Sequence, residues 1–143
     1  MKQSKNNPFC PYCGSISQKV TGKVTHPAVK RMKNRVFYYC AYDHKPAYVS
    51  AHSKTGRPMG TLASATLRGH RQLTHEAFDP LWQAKGAPRR NIAYQWLAQQ
   101  MGLPKAECHI ALFDIARCQE AQRICTERLA QEIAAEAHKG KNI

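Results

Sequence analysis

Acidic residues are scarce in this chain of 143 residues: nine Asp and Glu stand against 22 Lys and Arg, a formal net charge of +13. Only Asp43, Glu76 and Asp79 precede residue 91. That part of the chain is therefore short of the carboxylates that usually hold Mg²⁺ in a nuclease. Long apolar runs are missing too. No segment approaches the roughly 20 apolar residues that a membrane span requires, and no secretory h-region precedes the cysteines. Six cysteines, unevenly spaced, are too few for a secreted disulfide scaffold. These absences point to a cytoplasmic, reducing setting with thiols free to hold metal, and to no membrane partner. Internal repeats and low-complexity segments are also absent.

The charge that is present is one-sided. Residues 1–90 hold 16 Lys/Arg and three acids, whereas residues 91–143 hold six of each. A basic field confined to the first two-thirds attracts phosphate and speeds encounter with polyanions. With 43% apolar residues, the chain can build one ordinary domain, or a small metal module plus a helical unit.

Two ligand pairs lie inside the basic part. Cys10-Pro11-Tyr12-Cys13-Gly14 has the spacing of a tight knuckle, with Gly14 able to take the positive φ of the turn. Cys40-Ala41-Tyr42-Asp43-His44 follows the strand-like run Val36-Phe37-Tyr38-Tyr39. Three thiolates and one imidazole make a closed tetrahedral set for one structural Zn²⁺, with no open position for chemistry. His44 is the natural fourth ligand, and Asp43 and His52 are its alternatives. A redox reading of Cys10 and Cys13 lacks the helix and βαβ context it needs.

The pattern predicts an α+β protein, with an N-terminal zinc ribbon of short antiparallel strands packed on a C-terminal helical bundle. A basic tail is expected over residues 1–8, the ribbon over 9–52, and a helical region over 53–143 with a linker near 84–90. Strands are expected at 17–24, 36–40 and 47–52, with residues 30–35 as a basic hairpin tip. A helix over 61–77 begins at a Thr61 cap. A second, over 91–101, has Ile92, Trp96, Leu97 and Met101 near one face and stops at Gly102-Leu103-Pro104. The longest, near 114–138, carries the stripe Ile115, Cys118, Ala121, Ile124, Cys125 and Leu129, and its last turns project from the core. The region around 91–125 has a helix-turn-helix flavour, with residues 96–103 resembling the first helix and turn, but the following residues 109–113 are mostly apolar and the region is neutral. A core-forming hairpin is the better reading. Cys108, Cys118 and Cys125 read as buried core thiols, ahead of a second metal site with His109.

Lys30, Arg31, Lys33, Arg35, Arg57, Arg68 and Arg71 are the candidate phosphate contacts, so DNA or RNA is the expected partner. Phe37, Tyr38, Tyr39, Tyr42 and Tyr48 interleave with these cations. Each ring is either ribbon core or a platform for an unpaired base, and core is favoured for any one of them. The alternative partner is a host protein with an acidic surface. A weaker reading makes His70, His75 and Asp79 a nuclease site. A His75–Asp79 hydrogen bond that fixes the helix end is the favoured role for that pair.

Two resemblances attach to these residues. The knuckle Cys10-Pro11-Tyr12-Cys13-Gly14 with Phe37-Tyr38-Tyr39-Cys40-Ala41-Tyr42 resembles the zinc ribbons of type IA topoisomerases, which bind single-stranded DNA. Those ribbons usually end in a fourth Cys, near the place His44 takes here. Over residues 9–125 the chain resembles an uncharacterised zinc-finger-containing family of phages and prophages. Ala47-Tyr48-Val49 with His52, Gly56-Arg57-Pro58-Met59-Gly60-Thr61-Leu62-Ala63, and His75 with Phe78-Asp79-Pro80-Leu81-Trp82 carry it. Tyr94 with Trp96-Leu97-Ala98, and His109-Ile110 with Phe113-Asp114 and Cys118, continue it. The resemblance implies a zinc site, a viral or prophage origin and a bacterial host cytoplasm. It implies no activity, and leaves open the binding and modulation of a host defence complex.

Overall fold

The computed structural model describes residues 6–141, with side chains through residue 139. It is α+β, with three strands followed by the main helices. The chain forms two compact units, one ending at Arg68 and the other beginning at Gly69.

In the first unit β1 (Gln18–Thr21), β2 (Val36–Cys40) and β3 (Ala47–Ser50) form an antiparallel sheet in the order β1-β2-β3. Tyr38 pairs with Lys19 on one side and Val49 on the other, and Tyr39 pairs with Gln18 and Tyr48. Side chains alternate along a strand, so Tyr38, Cys40, Ala47 and Val49 share one face while Val20, Phe37, Tyr39 and Tyr48 share the other. Both faces are covered. Tyr38, Cys40 and Ala47 pack with Cys10 and Leu62. Phe37 and Tyr48 meet edge to face at 5.6 Å, and His26 lies 5.2 Å and 5.5 Å from their rings.

The β1–β2 connection is longer than a hairpin tip. β1 stops at Thr21, a single helical turn α1 follows (Gly22–Thr25), and Lys30–Met32 form a 3₁₀ turn. The reason is at Gly22. Its N–H donates to the Arg35 carbonyl at 2.8 Å, and a Cβ there would stand 1.7 Å from the Met32 carbonyl oxygen. The connection is thus folded back onto the end of its own strand pair. Of the basic tail expected over 1–8, residues 1–5 lie outside the described residues. Asn7 and Pro8 are built into the unit: Asn7 Nδ2 donates to the Ser17 carbonyl, and the Ser17 hydroxyl and N–H both donate to the Pro8 carbonyl.

The first long helix, α2 (Ala65–Phe78), begins four residues later than Thr61. Tyr48 and Ala63 exchange both backbone hydrogen bonds, at 3.1 and 3.0 Å, and that pairing holds the preceding residues extended. Ser64, not Thr61, sits at the helix start, its hydroxyl accepting the Leu67 N–H at 3.3 Å.

The second unit contains the rest of α2, then α3 (Pro80–Gln83), α4 (Arg90–Met101) and α5 (Ile115–Lys141). Phe78, Tyr94, Leu97, Ile110, Phe113, Cys118, Ala121 and Cys125 are buried in it. The buried face of α4 is Ala93, Tyr94, Leu97 and Ala98 rather than the Ile92–Trp96–Met101 side, and Ile92 is 46% exposed. Gly102 (φ 65°) ends α4: its N–H and that of Leu103 return to the carbonyls of Gln99 and Ala98. Asp114 caps α5 through the Arg117 N–H at 2.8 Å. Thr74 is fully buried and accepts a hydrogen bond from Gln122 Nε2 at 3.1 Å, tying α2 to α5. From residue 130 to 139 every side chain of α5 is exposed, as expected for projecting turns. Among the described residues no helix is long and apolar enough to cross a membrane.

Candidate metal centre and basic surface

The knuckle 10–13 and the end of β2 bring the two ligand pairs together. Gly14 (φ 77°) donates its N–H to the Cys10 carbonyl at 2.8 Å, and the Cys10 N–H reaches the Ser15 carbonyl at 2.7 Å. The first pair is thereby fixed as a tight turn. Cys40 ends β2, and His44 lies four residues on, past the strand. The ligand atoms of Cys10, Cys13, Cys40 and His44 all lie within 4.8 Å of one another.

The spacing fits one zinc ion. Zinc bonds of about 2.3 Å to sulfur and 2.0–2.1 Å to nitrogen give a tetrahedron with S···S edges of about 3.8 Å and S···N edges of about 3.5 Å. Cys13 Sγ and Cys40 Sγ are 3.6 Å apart, and His44 Nε2 stands 3.4 Å from Cys10 Sγ and 3.6 Å from Cys40 Sγ. His44 Nδ1 donates to the Lys45 carbonyl at 2.7 Å, which leaves Nε2 with its lone pair toward the thiols. The same carbonyl is the main reason the His44 pKa is raised. The Ser15 hydroxyl and N–H draw Cys13 down to about 6, whereas burial pushes Cys40 up to about 11. A bound dication would outweigh both effects and hold all three sulfurs as thiolates. Cys10, Cys13, Cys40 and His44 thus hold one structural zinc. Asp43 and His52 are outside the cluster, and the His52 backbone closes a turn with Gly56 and Arg57.

The candidate phosphate contacts divide. Lys30, Arg31, Lys33 and Arg35 are exposed on the β1–β2 connection, and Arg57 is exposed in the turn after β3. Arg68 and Arg71 carry internal contacts. Arg68 stacks its guanidinium 3.8 Å from the Tyr48 ring centre and donates to the Ala63 carbonyl. Arg71 donates through Nε to the Phe113 carbonyl at 3.0 Å. Among the rings, Phe37 and Tyr38 are core, Tyr39 and Tyr48 are half-buried, and Tyr42 is 81% exposed. Gly22 does not stand out in the sequence pattern, because its partners Met32 and Arg35 are ten or more residues away in the chain.

In the second unit His75 and Asp79 do meet, Nδ1 to Oδ1 at 3.3 Å, and the same oxygen accepts the Trp82 indole N–H at 3.0 Å. His70 sits one turn earlier on α2, its carbonyl bound by the Thr74 hydroxyl at 2.7 Å. Cys108 and Cys125 are fully buried, and burial pushes them up to about 11 and about 12. Cys118 is also buried and raised by burial. These are inert core thiols.

A closed Cys₃His centre stapling a three-stranded sheet defines a zinc-binding protein of the zinc-finger kind. The chain belongs to the zinc-finger-containing domain family DUF3268, whose model matches residues 6–128. No curated protein and no solved structure matches it.

Proposed function

We propose that this is a non-catalytic zinc protein that binds nucleic acid, mainly through phosphate. One observation carries the reading. From residue 6 to 68 the chain holds ten Lys/Arg and a single acid, Asp43. The ion pairs His75–Asp79, Arg123–Glu127 and Arg128–Glu132 all lie outside this segment. One acid cannot neutralise ten cations within this segment, and a polyanion is their natural counter-charge. A closed metal centre with four protein ligands leaves no coordination position for a substrate, which supports a binding role. Lys30, Arg31, Lys33, Arg35 and Arg57 would make the phosphate contacts. Arg68 and Arg71 would contribute charge while serving the fold.

The resemblance over residues 9–125 favours a phage or prophage origin and action in a bacterial cytoplasm. The ribbon-like order of knuckle, strand pair and second ligand pair favours a relation to topoisomerase zinc ribbons. The experiment is fluorescence anisotropy of labelled single-stranded DNA, duplex DNA and RNA with the zinc-loaded protein across 50–200 mM salt. Five phosphate contacts predict a slope of log K against log salt of about −3.5 to −4.5. No binding to any probe at low salt overturns the reading. A host protein that stays bound to the tagged chain after nuclease treatment would support the alternative, an acidic protein partner.

A further inference from the structure

We propose that the zinc unit contains a discrete phosphate-binding site, formed by Lys19, Arg35, His52, Asn34 and Ser53, at the end of the sheet opposite the metal. It rests on the nucleic-acid reading and adds to it a place where one phosphate is held rather than merely attracted.

These five residues are among those that line a depression of about 330 Å³. Its base is set by the sheet. Lys19 pairs with Tyr38, and Val36 and Ala51 are each two residues from members of that paired row, so all project on the same face. Val36 and Ala51 also line the depression and are joined by the Ala51 N–H to Val36 carbonyl bond at 2.9 Å. Cys40 lies on this face too, at the other end of β2. The zinc centre and the depression thus occupy opposite ends of one sheet face.

The walls are held in place. The turn carrying His52 and Ser53 is closed by the His52 N–H to Arg57 carbonyl bond at 2.7 Å and by the Gly56 N–H to His52 carbonyl bond at 2.8 Å. The Tyr38 hydroxyl donates to the Gly56 carbonyl, which pins the turn against the sheet. The Lys19 ammonium lies 5.9 Å from the Tyr38 ring centre. Arg35 is held through its carbonyl to Gly22 and its N–H to Met32, and its guanidinium Nη1 donates to the Met32 sulfur at 3.8 Å, leaving its other N–H groups for a ligand.

The lining is rich in donors. It includes two permanent cations, an imidazole, an amide and a hydroxyl, and no carboxylate is among the lining residues. Such a set suits the tetrahedral oxygens of a phosphate group. The nucleic-acid backbone and a strand terminus present the same oxygens, so either can supply that phosphate.

The test uses the full zinc-loaded chain. Binding of 5′-phosphorylated and 5′-hydroxyl single strands is measured for Lys19→Gln/Arg35→Gln and for Lys23→Gln/Lys45→Gln. The second variant removes the same charge away from the depression. A held phosphate predicts about tenfold weaker binding for the first variant and about twofold for the second. The salt slope of the first should also fall by about one for each phosphate-binding cation removed. Inorganic phosphate should shift the amide resonances of His52 and Ser53 in the wild type and not in the first variant. A preference for the 5′-phosphorylated strand assigns the site to a terminus, and equal binding assigns it to the backbone. Equal losses in the two variants, with no phosphate-induced shifts, overturn the site while leaving general nucleic-acid binding intact. Absence of binding to every strand overturns the underlying reading instead. Zinc content at the wild-type level shows that each variant is folded.

Discussion

At the scale of single residues, Gly22 and His44 each do something that few other residue types can do in that place. Gly22 is needed for closeness rather than for an unusual dihedral angle, since its missing Cβ would overlap the Met32 carbonyl. Replacing it with Ala forces the β1–β2 connection, which carries Lys30, Arg31, Lys33 and Arg35, away from the sheet. Overpacking of this kind costs about 2 kcal/mol or more. Denaturant melting of zinc-loaded Gly22→Ala should show that loss, and unchanged stability would mean the connection is not packed as described. His44 is the ligand that spacing leaves in competition with Asp43 and His52. With Nδ1 bound to the Lys45 carbonyl, its Nε2 is aimed at Cys10 and Cys40. His44→Ala should therefore release zinc, whereas His44→Cys should keep about one zinc per chain and His52→Ala should keep it fully. Metal analysis of the three variants checks this. Zinc loss in His52→Ala with retention in His44→Ala would reverse the assignment.

At the scale of elements, α2 shows where local pattern and long-range structure part. Gly69 lies inside this helix, and a Cβ there meets nothing within 4 Å. Gly69→Ala should raise stability by about 0.5–1 kcal/mol, because Ala loses less backbone entropy and exposes less backbone in a helix. A fall in melting temperature would show that the helix is not regular at that point. The metal ligands are legible in the sequence because each pair is local, and an apolar run delivers the second pair to the first. The Gly102 stop and the stripe Cys118, Ala121 and Cys125 are legible for the same reason. The start of α2 is not: Thr61 reads as a cap until Tyr48, across the sheet, claims the backbone of Ala63. Arg68 and Arg71 are three residues apart and read as one phosphate-facing surface. Their actual partners, the Tyr48 ring and the Phe113 carbonyl, are distant in the chain and invisible to a helical wheel. The buried face of α4 departs from its pattern in the same way, because two apolar sides compete and tertiary packing chooses the one with Ala93, Tyr94, Leu97 and Ala98.

At the scale of the whole molecule, the six cysteines report on how the chain is stabilised. Cys10, Cys13 and Cys40 belong to the unit that carries the excess charge, and Cys108, Cys118 and Cys125 belong to the second unit. The first unit has a three-stranded sheet whose small core includes the zinc ligands Cys10 and Cys40 themselves. A core this small supplies little folding energy, and the ten Lys/Arg against one acid between residues 6 and 68 oppose compaction. Zinc binding would supply that folding energy. The second unit has a core of Phe78, Tyr94, Leu97, Ile110 and Phe113 that contains no ligand of the metal. Thiol labelling should separate the two. In the zinc-loaded protein all six thiols should react slowly, three because they are metal-bound and three because they are buried. A chelator should release a fast phase of three thiols, with little loss of the helical circular dichroism signal. The remaining three should react only when denaturant melts the helices. A fast phase of six on chelation, with the helical signal lost alongside it, would mean that zinc holds the whole chain rather than the basic unit alone.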